Sequence, residues 1–114
     1  MEYEYERIVN LTGHDVTFIQ WDDEAATIPS DGQMRVYSNA EPVGMIRGSV
    51  HVPLLEIVEQ RLSMSAPEGD GQLYIVSGIV AAKARRGDFV VPSRVVRDKN
   101  GRAVGCRAVA RVVS

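Results

Sequence analysis

Alternation of apolar and polar positions dominates the chain. Val16 to Trp21 alternates β-branched and aromatic residues, and Gln33 to Ser38 sets Met34 and Val36 against Arg35 and Tyr37. A period of two marks strands with one buried face. Arg7 to Leu11 is a short apolar strand candidate, and Ala26 to Ile28 leads into the turn-forming run Pro29-Ser30-Asp31-Gly32. Gln33 to Ser38 then reads as the strand returning from that turn. Leu73-Tyr74-Ile75-Val76 is the strongest strand signal.

Residues 50–64 fit two templates. Leu54, Leu55, Ile57, Val58 and Leu62 make a helical stripe after Pro53, and with His51 and Val52 they also make two short strands. Residues 65–71, with Pro67, Gly69 and Gly71, read as a loop. A helix is expected over about 78–86. Ser77 is its N-cap candidate, its body is alanine-rich, basic residues fill its last turn, and Gly87 follows. Asp88 to Val91 resumes an extended chain. Val95 to Asp98 and Ala103 to Val113 read as a hairpin around Asn100-Gly101. The expected fold is α+β: a mostly antiparallel sheet of six or seven strands with one short helix. A helix of about nine residues cannot cover such a sheet, so part of the sheet is expected to bury itself in a homo-oligomer interface.

Length makes this a single domain, residues 1–114. One cysteine excludes an intrachain disulfide framework. No apolar run reaches the roughly 18–20 residues of a membrane span, so no membrane partner is expected. The opening Met-Glu-Tyr-Glu-Tyr-Glu has neither the basic start nor the apolar stretch of a secretory signal, and a cytoplasmic location is expected. In that compartment the glycosylation pattern Asn10-Leu11-Thr12 and the adhesion tripeptide Arg86-Gly87-Asp88 are accidental matches.

The net charge of −2 conceals a division. Residues 1–82 hold four basic against thirteen acidic side chains, a balance of −9; residues 83–114 hold nine basic against two acidic, a balance of +7. Arg outnumbers Lys seven to two in that last third, which suits phosphate or carboxylate recognition. Arg94, Arg97 and Arg107 are candidate contacts for a small anionic ligand; pairing with the acidic first half is the competing reading. Extended nucleic acid fits poorly, because Phe89 is the one aromatic in the basic segment and the whole chain is mildly acidic.

Four blocks, in order, resemble a family of small phage and prophage proteins. Asn10-Leu11-Thr12-Gly13-His14 resembles its Asn-Leu-Thr-Pro-His opening, with glycine in place of proline. Ile28-Pro29-Ser30-Asp31-Gly32 resembles its Ile-Pro-Pro-Ser-Gly turn. Tyr74-Ile75-Val76-Ser77 with Val80-Ala81 resembles its central strand and helix. Val96-Arg97-Asp98-Lys99-Asn100-Gly101 with Val104-Gly105-Cys106-Arg107 resembles its closing hairpin. The resemblance implies a phage or prophage setting, hence the host-cell cytoplasm, and a small accessory protein. It implies no particular chemistry, and it favours the two-strand reading of residues 50–64.

Candidate chemistry is sparse. His14 with Asp15 could act as a general base; alternatively His14 sits in a turn tied by Asn10, Thr12 and Asp15. Asn10, Thr12 and His14 could also contact a ligand. Ser77 before a helix could contact an anion or serve only as the cap; with Val76 before it, it lacks the glycine a nucleophile elbow needs. Cys106 beside Arg107 reads as a small buried side chain. Two scattered histidines and one cysteine offer no metal-ligand spacing, and no cofactor motif is present. Two functions are therefore expected in turn. The first is a non-enzymatic binding protein for a host protein or a small anion such as a nucleotide. The second is a metal-independent nuclease- or phosphodiesterase-like enzyme, with His14 as acid/base beside Arg94, Arg97 or Arg107.

Overall fold

The computed structural model describes residues 1–69 and 71–112. Eight strands and one helix follow in order: β1 (Arg7–Asn10), β2 (Val16–Ile19), β3 (Ala25–Ile28), β4 (Val36–Arg47), β5 (His51–Leu62), β6 (Gln72–Ile75), α1 (Gly78–Ala84), β7 (Phe89–Arg97) and β8 (Ala103–Ala110). Six strands form one sheet in the order β1-β6-β7-β8-β2-β3, and β4 and β5 form a separate two-stranded sheet.

The strand-rich architecture with one short helix matches expectation, but the sheet is not mostly antiparallel. Three of its five pairings, β1–β6, β6–β7 and β2–β8, are parallel; β2–β3 and β7–β8 are antiparallel. The helix is the cause of one parallel pair: β6-α1-β7 is a crossover that brings the chain back in the same direction. Residues 11–71 separate β1 from β6, so that pair is also free of hairpin geometry.

Local signals set most strand centres, while pairing partners differ from the sequence reading. β3 pairs back onto β2, with Val16 opposite Ile28, and not onto residues 33–38. Gln33 instead bridges Thr12, and β4 starts at Val36. Residues 50–64 are neither a helix nor two strands: β5 is one continuous strand of 12 residues. β7 likewise joins the two segments expected on either side of Pro92 into one. The last strand ends at Ala110, and Val113 of the expected hairpin lies outside the described residues, as does Asp70 of the expected loop.

The helix is shorter than expected. Ser77 caps it, its hydroxyl accepting from the Val80 amide at 3.4 Å. Its end is set by Arg85, which takes the left-handed conformation (φ 51°, ψ 44°), and not by Gly87. The next residue supplies a reason. Arg86 turns inward to chelate Asp88 at 2.9 and 2.7 Å, donates to the Ala66 carbonyl at 2.7 Å and lies 4.3 Å from the Phe89 ring centre.

Alternation along β6 sends Tyr74 and Val76 to one face of the sheet and Leu73 and Ile75 to the other. The first pair joins Val9, Leu11, Met34, Val80, Ala81 and Phe89 in the main core. Tyr74 and Phe89 meet edge to face, ring centres 5.5 Å apart. Leu73, Ile75 and Val90 pack with Phe18 on the opposite, concave side.

Curvature brings the two edges of the large sheet together. Asn10, at the end of β1, donates from Nδ2 to the carbonyl of Ile28, at the end of β3, at 3.0 Å. The Asp31 amide donates to the Asn10 carbonyl at 2.7 Å, and Gly13 and Met34 continue the seam with Gly32 and Leu11 at 3.0 Å each. The six strands thus form a nearly closed barrel.

The hairpin β4–β5 leaves this body. Val36 and Leu62 at its root pack on the main core, and beyond them its residues are exposed. The radius of gyration is 18.0 Å, against about 13 Å for a compact chain of this length, and the longest dimension is 55 Å. The arm is therefore a projecting ribbon.

Candidate functional site

The Asn-Leu-Thr-Gly-His run is a structural knot. Asn10 is fully buried and is the one buried polar side chain in the core of the described residues. Its Nδ2 donates to the carbonyls of His14 (2.8 Å) and Ile28 (3.0 Å). Its Oδ1 accepts from the Thr12 amide at 3.0 Å and lies 2.7 Å from the Thr12 hydroxyl. All four positions of the amide are thereby used, leaving none for a ligand. Burial also removes Asn10 from any glycosylation machinery.

His14 is exposed, and its Nδ1 lies 3.0 Å from the backbone carbonyl of Asp15. The Asp15 carboxylate is engaged elsewhere, accepting from the Ser30 amide at 3.0 Å. The expected His-carboxylate dyad is therefore not formed. Gly13, with φ 89°, has a backbone that proline, fixed near −65°, cannot adopt. His14 lines a shallow hollow of about 290 Å3 with Val16, Val95, Val104 and Cys106; none of Arg94, Arg97 or Arg107 lines it.

Cys106 is buried, with Sγ 3.6 Å from the Thr17 carbonyl. Burial pushes its thiol pKa up, partly offset by a backbone hydrogen bond from Ser93. Such a thiol is a poor nucleophile at neutral pH. Ser77 faces solvent as a helix cap on a helix of only seven residues.

The arginines divide. Arg107 pairs with Asp23 at 3.0 Å, and Arg97 donates to the Gly101 carbonyl of its own turn at 3.0 Å. Arg94 is exposed, in a left-handed conformation (φ 55°), with no carboxylate partner among the described residues. Arg86 is held by Asp88, whose hydrogen bond raises its already high pKa, so the adhesion tripeptide is spent internally. Beside it lies an open groove of about 480 Å3 that also exposes Glu68 and Asp88, a poor lining for an anion.

A different hollow combines an apolar floor with an aromatic wall and a cation. Ile8, Leu73, Val90 and Val109 come from four successive strands, β1, β6, β7 and β8, and form the floor. Tyr3 and Tyr5, from the segment before β1, and Arg111, just beyond β8, complete the lining. The volume is about 410 Å3, within the usual range for small-molecule sites. The Arg111 guanidinium stands 5.7 Å from the Tyr3 ring centre, within cation–π range.

None of the seven ligand candidates chosen from the sequence lines this hollow. Arg111 belonged to the basic third without distinction. Tyr3 and Tyr5 were legible in the alternation Glu-Tyr-Glu-Tyr-Glu, which puts both rings on one side of an extended chain. What could not be read was that this side meets Leu73 and Val90.

Among the described residues no group of three His, Cys, Asp or Glu side chains could hold a metal, and no helix is long and apolar enough to cross a membrane. The chain matches no protein-family model, no curated protein and no solved structure.

Proposed function

We propose that this chain is a non-enzymatic accessory binding protein of the phage or prophage kind, working in the host-cell cytoplasm, whose ligand is a small anion carrying a flat ring, the chemistry of a nucleotide. The observation that supports this is the placement of Arg111 beside Tyr3 above a floor of Ile8, Leu73, Val90 and Val109. A base can stack on tyrosine and cover the apolar floor, while the guanidinium holds a phosphate. Barrel mouths are common places for such sites.

The catalytic alternative has less in its favour. The Asp15 carboxylate is bound to the Ser30 amide, the Cys106 thiol is buried, and the hollow beside His14 contains no arginine.

Native mass spectrometry of protein purified from cells, followed by titration with nucleoside mono- and triphosphates, tests the proposal. The expected result is a nucleotide-sized mass released on denaturation, and affinity lowered about tenfold or more by Arg111→Ala or Tyr3→Ala. Absence of binding at about 1 mM nucleotide, near the weak limit of specific association, overturns it.

A further inference from the structure

We propose that the open groove beside Arg86 is the second half of the Tyr3–Arg111 site, and that the ligand is a dinucleotide: one nucleoside over the apolar floor, one in the groove, and the linking phosphate at Arg111. This inference rests on the nucleotide reading of the hollow and names its ligand more closely.

The two depressions adjoin. Tyr5 belongs to the lining of both. Arg111 stands at their boundary. Its guanidinium lies 5.7 Å from the Tyr3 ring centre on the hollow's side. Its Nη1 lies 3.8 Å from the point where a side chain at Gly87 would begin. Gly87 lines the groove, and as a glycine it puts no side chain between the guanidinium and the groove. The strand pairing explains the approach. Val91 of β7 lies opposite Ala110 of β8, so Arg111, just beyond β8, comes beside the turn that leads into β7.

The hollow and the groove hold about 410 and 480 Å3. Each falls within the usual range for a small-molecule site. A phosphate held at Arg111 therefore has a depression on either side of it.

The chemistry of the groove selects what fills it. Arg85 and Arg86 share the lining with Glu68 and Asp88, so the formal charges of these four cancel. Arg86 and Asp88 are also committed to each other, at 2.9 and 2.7 Å. The several negative charges of a triphosphate tail gain nothing from such a lining. One acceptor and one donor remain for a ligand. The Glu68 carboxylate is 77% exposed and reaches Arg86 only at 3.7 Å. Gln72 Oε1 accepts from the Tyr74 hydroxyl at 2.8 Å, which leaves the Nε2 hydrogens free to donate.

A carboxylate and an amide donor in one groove complement the pairing edge of guanine, whose N1–H and N2–H2 donate and whose O6 accepts. Guanine gives the carboxylate two charge-assisted bonds where adenine gives one. Tyr5 supplies a ring wall against which a base can stack in either depression. The groove thus takes a guanosine, and the hollow, with its apolar floor, takes a base by stacking alone.

Isothermal titration calorimetry of the full chain provides the test. The probes are AMP, ATP, and the dinucleoside monophosphates GpG and ApA. GpG should bind at least tenfold tighter than AMP, and ATP no tighter than AMP. Arg111→Ala should weaken AMP and GpG alike. Glu68→Gln, with its circular dichroism unchanged, should bring GpG down to the level of ApA, a loss of about tenfold. AMP binding without a GpG advantage overturns the dinucleotide and leaves the nucleotide reading standing. ATP binding tighter than AMP puts phosphates in the groove and overturns it too. So does a preference for GpG that survives Glu68→Gln. If neither AMP nor GpG binds at about 1 mM, the nucleotide reading itself falls, and this inference with it.

Discussion

The amide of Asn10 joins the two free edges of the six-stranded sheet: it donates to the Ile28 carbonyl at 3.0 Å from a fully buried position. The same residue's backbone amide donates to Asp31 Oδ2 at 3.0 Å, and its carbonyl accepts from the Asp31 amide. One asparagine therefore closes the barrel through both its side chain and its main chain.

Replacing Asn10 with alanine takes this partner from the Ile28 carbonyl and the Thr12 amide, and leaves the His14 carbonyl with the Thr12 hydroxyl at 2.9 Å alone. Unsatisfied buried groups each carry a desolvation penalty, so a loss of about 2–4 kcal/mol is expected. Urea unfolding with a constant slope would measure it. A loss below about 0.5 kcal/mol would show that the seam does not depend on this side chain.

Arg86 is predicted to be irreplaceable by lysine. Its guanidinium makes two bonds to Asp88, one to the Ala66 carbonyl and a stack on Phe89. Arg86→Ala should cost about 2–3 kcal/mol, and Arg86→Lys should recover less than half, because an ammonium cannot chelate and stack at once. Equal stability of the lysine variant and wild type would refute this.

Cys106 should make stability fall at alkaline pH. Burial raises its pKa above the ordinary 9.0, so the folded state binds the thiol proton more tightly than the unfolded state. That contribution is complete below the unfolded value and disappears as pH rises through the folded one. The stability difference between wild type and Cys106→Ala should therefore narrow as pH rises past the ordinary thiol value of 9.0. A difference that widens with rising pH would reverse the assignment.

His14→Ala should be nearly silent. The bonds at this position run through the backbone carbonyl, which alanine retains, and the ring is exposed. The expected change is below about 0.5 kcal/mol, with nucleotide affinity unaltered. A hydrolytic activity towards nucleotides or nucleic acid that vanishes in this variant would restore the catalytic reading.

Local structure follows from the residue pattern alone. Alternation located the centres of β1, β2 and β6. Ser77 marked the start of the helix, and Asn100-Gly101 the last turn, where Gly101 takes φ 81°. The turn-tying role of Asn10 and Thr12 was legible too, because their bonds to the segment ending at His14 span only two to four residues. Strand partners and the hollow depend on contacts that distance in sequence conceals. Periodicity reports which face of a segment is buried and not which strand lies beside it, so β3 could be given the wrong partner and parallel pairs could pass for antiparallel ones. Residues 50–64 carry apolar side chains on both faces, which no single period describes, and only the pairing of β5 along β4 makes them one strand. The hollow needed both ends of the chain and four strands at once: Tyr3 and Arg111 lie 108 positions apart and meet because the sheet curls. Local preference is written in neighbouring residues, whereas a binding surface is made by burial across the whole chain.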